Sequence, residues 1–62
     1  MFIIKTATGL YLRWDNDIWG WVYEDTIEKA QLFPTLNTAK ANKQGDERIF
    51  SVLITEGFVQ DV

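Results

Sequence analysis

Residues 10–23, LYLRWDNDIWGWVY, carry the alternation that decides the fold. Leu10, Leu12 and Trp14 alternate with Tyr11 and Arg13, and a period of two places the first three on one face of a strand. Asp15, Asn16 and Asp17 then break the pattern with short polar side chains that bond nearby backbone and tolerate left-handed geometry, so a turn is expected there. The alternation resumes in IWGWVY, where Trp19, Trp21 and Tyr23 share one face and Ile18, Gly20 and Val22 the other. Gly20 leaves a bare patch among bulky neighbours, suited to a bulge or to close approach by another chain.

Upstream, FIIKT (2–6) is β-branched and aromatic and runs into ATG, whose Gly9 accepts a positive φ at a bend, so a further strand precedes the hairpin. Downstream, Asp25 followed three residues later by Glu28 has the form of a capping box. A short helix is expected from there, with Ile27, Ala30 and Phe33 (or Leu32) at helical spacing and Pro34 ending it. Thr35 caps a second helical segment, with Leu36 and Ala39 facing inward and Gly45 as its stop. Residues 48–55, RIFSVLIT, place Phe50, Val52 and Ile54 on one face and Ile49 and Leu53 on the other, as in a central strand or one covered by a partner. The tail EGFVQDV either adds a short strand after Gly57 or frays. The expected fold is α+β: a small antiparallel sheet in βββααβ order with two short helices packed on one face, in a single domain over residues 1–62.

Composition narrows the functional classes. A chain of 62 residues has room for one modest core and no second domain. With no cysteine and no histidine there is neither a disulfide nor the commonest neutral metal ligand, so stability must come from packing or oligomerisation. The 15% aromatic content suits both. Ser-His and Cys-His catalysis are excluded on the same count. The acidic pairs Asp15/Asp17, Glu24/Asp25 and Asp46/Glu47 are the available oxygen ligands, but DNDIWG lacks the acid that closes a calcium loop, and turn and cap roles explain these residues better. Isolated glycines at 9, 20, 45 and 57 form no phosphate-binding loop. Neither an enzyme, a metal site nor a cofactor is therefore expected.

The net charge of −3 and scattered basic residues, of which only Lys40 and Lys43 are close in sequence, speak against a nucleic-acid partner. No stretch approaches the roughly 18 apolar residues of a membrane span, and MFIIKTATG does not read as a secretion signal, so the cytoplasm is the expected location.

Three tryptophans and a tyrosine between Trp14 and Tyr23 exceed what one small core face needs. Trp14, continuing the Leu10 and Leu12 alternation, belongs to the core. Trp19, Trp21 and Tyr23, beside Asp15 and Asp17, are the candidate partner-binding residues, because tryptophan and tyrosine are enriched at protein interfaces. The leading expectation is a non-enzymatic protein-binding accessory protein acting by stoichiometric contact, or a homodimer built on this surface. Alternatives are a nucleotide-, sugar- or single-strand-binding module using the aromatics as a stacking platform, which the flanking acids disfavour, and a structural or assembly subunit.

The stretches FIIKTATGLYLRW, WGWVYEDTIEKAQLFPTLNTAKA and RIFSVLI together resemble small bacteriophage and prophage accessory proteins. That pattern has a glycine-turn hairpin, an acidic N-cap, an A-x-x-F segment at Ala30 and Phe33, a T-x-x-x-A segment at Thr35 and Ala39, and a closing strand. The resemblance implies a viral protein that binds and inhibits a host or defence protein in the host cytoplasm, and it assigns no residue a role.

Overall fold

The computed structural model describes residues 1–53 and, as backbone strand, residues 58–61. The elements are β1 (Phe2–Lys5), β2 (Tyr11–Asp15), β3 (Gly20–Glu24), a 3-10 turn (Ile27–Lys29), α1 (Leu36–Asn42), β4 (Arg48–Leu53) and β5 (Phe58–Asp61). The strands form one antiparallel sheet in the order β3-β2-β1-β4-β5. An α+β class is thus observed, but the order is not βββααβ. Among the described residues there is one α-helix instead of two, and a further strand occupies part of the tail. Residues 54–55 of the expected fourth strand lie outside the described residues.

The physical reason for the missing helix lies in what residues 31–33 must do. β1 and β2 share a single pair, Lys5↔Tyr11. Beyond it the two strands part, and the segment Gln31–Phe33 enters between them. The Gln31 N–H donates to the Leu12 carbonyl (2.9 Å), and on the other side Phe2 and Phe33 exchange two backbone bonds of 2.8 Å each. The Gln31 side-chain oxygen also accepts the N–H of Trp14 at 3.2 Å. An extended segment bonded to both strands satisfies groups that a helix over 27–33 would leave orphaned inside the sheet. The helical spacing of Ile27, Ala30 and Phe33 therefore yields only a 3-10 turn. Its N-cap is Thr26, without a side-chain cap bond, rather than Asp25.

The second helical segment forms as expected. Thr35 caps α1 by accepting the Thr38 N–H at 3.1 Å, and Ala39 is fully buried. The helix ends at Lys43, two residues before Gly45, whose φ of +54° serves the turn into β4. On this side of the sheet Ile4, Leu12, Phe33 and Ala39 form the core, with Phe2 and Ile49 packed against them. Neighbouring residues of a strand point to opposite faces, and Ile3 and Ile4 are both buried, so β1 is covered on both sides. Leu10 lies just outside β2 and is exposed, so of the expected trio only Leu12 is buried and Trp14 is half-buried.

Phe33 joins the inserted segment to the core. Phe33→Ala should lower stability by roughly 3–5 kcal/mol in urea unfolding, as for other buried aromatics. Leu32→Ala, at an exposed neighbour, should stay within about 0.5 kcal/mol. Equal effects would mean that Phe33 does not anchor the segment.

Candidate functional site

The β2–β3 hairpin pairs Tyr11↔Glu24, Leu12↔Tyr23, Arg13↔Val22, Trp14↔Trp21 and Asp15↔Gly20 in unbroken register. Gly20 therefore forms no bulge, and a Cβ there would meet nothing closer than 4.0 Å. Trp21 and Tyr23 share with Leu12 and Trp14 the face that carries the core. Trp19 departs from the expected pattern. It precedes β3 as the last turn residue, with a φ of +55°, the sole non-glycine among the described residues in left-handed geometry. Ile18 is likewise in the turn and exposed rather than facing the opposite side of a strand.

The turn is held by side chains on either side of it. The Asp15 carboxylate accepts the Asp17 N–H at 2.8 Å, and the Trp14 indole N–H donates to Asn16 Oδ1 at 2.9 Å. Arg13 crosses to Glu24 at 2.8 Å and reaches Asp15 at 3.3 Å, while Lys29 stands 3.9 Å from the other Glu24 oxygen. The backbone N–H of Asp17, aided by Arg13, holds the Asp15 carboxyl below its usual value. Of the two candidate acids, Asp15 is engaged in shaping the turn and Asp17 points to solvent.

A chain of aromatic contacts runs from the core out to the turn tip. The Trp21 ring stacks on Phe33 at 6.2 Å, Trp14 meets Trp21 edge-on at 5.2 Å, and Trp19 meets Trp14 edge-on at 5.4 Å. Its inner end, Phe33, is 5% exposed, Trp21 is 36% exposed, Trp14 is half-buried, and the outer end, Trp19, is 76% exposed. Trp14 is thus a half-buried link in this chain rather than a core residue, and Trp19 is its open end.

Tyr23 is turned away from this chain to a different task. Its hydroxyl donates to Glu47 Oε2 at 2.8 Å, and the second carboxylate oxygen accepts the Gln44 N–H at 2.9 Å. Glu47, only 6% exposed, lies just ahead of β4, so this bond straps β3 to the far side of the core across β2 and β1. Of the residues read together from the sequence, the structure joins Trp19 and Trp21 through Trp14 and commits Tyr23 to the strap. Residues the alternation did not mark, Arg13, Asn16, Gln31 and Glu47, hold the surface in place. The one sequence signal for Glu47 is an acid immediately before a strong strand.

No helix among the described residues is long and apolar enough to cross a membrane, and no group of three or more potential metal-ligating side chains occurs among them. No protein-family model, curated protein or solved structure matches the chain.

The hydrogen bond that the Tyr23 hydroxyl donates to Glu47 raises the phenol above its ordinary value of 10.0, because ionisation would lose that bond; desolvation and the neighbouring carboxylate charge act in the same direction. The folded state then holds the proton more tightly than the unfolded one. The bond's contribution is complete below pH 10 and is lost as pH rises through the raised value. Tyr23→Phe should remove this part of the alkaline loss of stability in urea titrations at pH 9–12. An unchanged alkaline slope would show that the strap is absent in solution.

Proposed function

We propose that this chain is a small non-enzymatic binding module that engages a protein partner through the tip of the β2–β3 hairpin, with Trp19 as the anchor and Trp21 and Asp17 flanking it. The observation that carries this reading is the state of Trp19. A bulky residue in left-handed geometry costs roughly 1–2 kcal/mol, and an indole that is 76% exposed recovers little of that by burial. Its edge contact with Trp14 offsets only about 0.5–1.5 kcal/mol. Folding does not account for a tryptophan where glycine or asparagine fits better. Such departures cluster where function requires them.

The chemistry of the tip suits a protein surface. A large aromatic on a rigid stem gives contact area at little cost in conformational entropy, and interface hot spots are enriched in tryptophan. The adjacent Asp17 carboxylate suits a partner with a basic rim around an apolar pocket. The resemblance to phage accessory proteins supports the same reading, in which binding to a host or defence protein blocks it stoichiometrically.

Trp19→Gly separates fold from function. The substitution relieves the left-handed strain while removing one exposed ring, so stability should stay within about 1 kcal/mol of the parent. Affinity capture from lysate with the parent as bait should retain a discrete partner that Trp19→Gly loses. Sedimentation of the free chain tells whether that partner is a second copy. An identical set of captured proteins with a folded Trp19→Gly chain would refute the assignment. Trp21→Ala should instead lower stability measurably, because Trp21 stacks on Phe33.

A further inference from the structure

Strand β3 stands at one end of the sheet order, and its outer edge has no neighbour among the described strands. Which residues present their backbone there follows from the bonds on the far side of β2. The Leu12 carbonyl accepts the Gln31 N–H, and the Trp14 N–H donates to the Gln31 side chain, so Leu12 and Trp14 direct their backbone groups away from β3. Backbone direction alternates along an antiparallel strand. Tyr11, Arg13 and Asp15 therefore serve the β2–β3 ladder with Glu24, Val22 and Gly20, and the N–H and C=O groups of Trp21 and Tyr23 point outward. No described backbone bond outside the ladders uses Trp21 or Tyr23. The 3-10 turn that follows β3 packs on β2, and the chain then passes between β2 and β1, away from this edge.

Soluble proteins blunt such edges with lysine, proline, bulges or inward-pointing charges. The strand GWVYE carries neither Lys nor Pro, and it pairs with β2 in unbroken register. Its one charge, Glu24, lies at the strand end and is already matched, by Arg13 at 2.8 Å and Lys29 at 3.9 Å. The edge is also self-complementary. Antiparallel pairing of two copies about Val22 sets Trp21 against the partner's Tyr23 twice over, so every outward N–H and C=O group of these two residues meets its counterpart. Pairing centred on Trp21 would instead oppose Tyr23 to the partner's Trp19, which has left the strand at a φ of +55°. Pairing centred on Tyr23 would oppose Trp21 to the partner's Asp25, beyond the strand end. In the Val22-centred register Glu24 meets Gly20, which has no side chain, so no acid faces another and the Arg13–Glu24 pair is undisturbed. Trp21 and Tyr23, both exposed in the single chain, become cross-strand aromatic pairs.

We propose that two copies of this chain pair edge to edge through β3, with Val22 on the two-fold axis, joining their five-stranded sheets into one continuous sheet. Main-chain hydrogen bonds hold the pair, and the side chains set its register. The bare position that Gly20 leaves in the strand is where the partner's Glu24 lies. This dimer goes beyond the partner-binding role of the hairpin tip and does not depend on it, because Trp19 precedes the paired span.

The test is sedimentation of the full chain from micromolar to millimolar concentration, with amide hydrogen exchange at both ends of that range. A monomer–dimer equilibrium is expected, with the Trp21 and Tyr23 amides slowed at the high concentration only. Val22→Glu sets an acid opposite Arg13 in its own chain and opposite its own copy across the axis. It should weaken dimerisation by about tenfold or more, and mixing it with Val22→Lys should restore the dimer. Trp19→Gly should dimerise as the parent does, which separates this edge from the tip. Trp21 and Tyr23 amides that exchange alike at both concentrations, or a dimer that Val22→Glu leaves intact, would overturn the proposal. So would a chain that stays monomeric throughout, including one that takes an extended peptide of another protein on this edge instead.

Discussion

The insertion of Gln31–Phe33 between β1 and β2 is the constraint on which the rest of the structure depends. A five-stranded sheet whose first two strands touch at one residue pair would otherwise split, leaving the inner edges of Phe2, Leu12 and Trp14 without partners. Unpaired backbone groups inside a small protein cost about 1–3 kcal/mol each, and a chain of this size has only a few kcal/mol to lose. Three residues in extended form bridge the gap with backbone on both sides, and the Gln31 amide stands in for one more rung. The same geometry delivers Phe33 into the core beside Ile4, Leu12 and Ala39.

From Phe33 the aromatic contacts proceed outward through Trp21 and Trp14 to Trp19, and this order divides the aromatics by task. Those near the insertion are bound into the fold, Tyr23 is tied to Glu47, and the last ring, Trp19, is the most exposed of them. Because each ring rests on the one before it, the exposed indole stands on a stem that extends into the core. A hairpin tip built in this way needs little ordering on binding, which is the condition under which a single aromatic side chain contributes most.

The sequence made the hairpins, the capped second helix and the strength of the fourth strand legible, because each rests on local rules: alternation, an N-cap threonine, turn residues at their breaks. It did not show that Ala30–Phe33 abandons helical spacing, because the reason lies in hydrogen bonds to β1 and β2, whose partners stand 17 or more residues away in the chain. The same holds for Glu47. Nothing beside it in the sequence distinguishes a carboxylate that meets Tyr23 from one that meets water. Trp19 was legible as a candidate and misplaced by one residue, since the alternation runs on smoothly through the point where the backbone turns left-handed.

Native-state amide hydrogen exchange tests the central claim, that the inserted segment is an integral rung of the sheet. The N–H groups of Phe2, Gln31, Phe33 and Trp14 bond to or from that segment, so they should exchange only through global unfolding, with the opening free energy of core amides such as those of Ile3 and Ile4. Exchange of these four amides at the rate of the exposed turns, while the core amides remain protected, would contradict it.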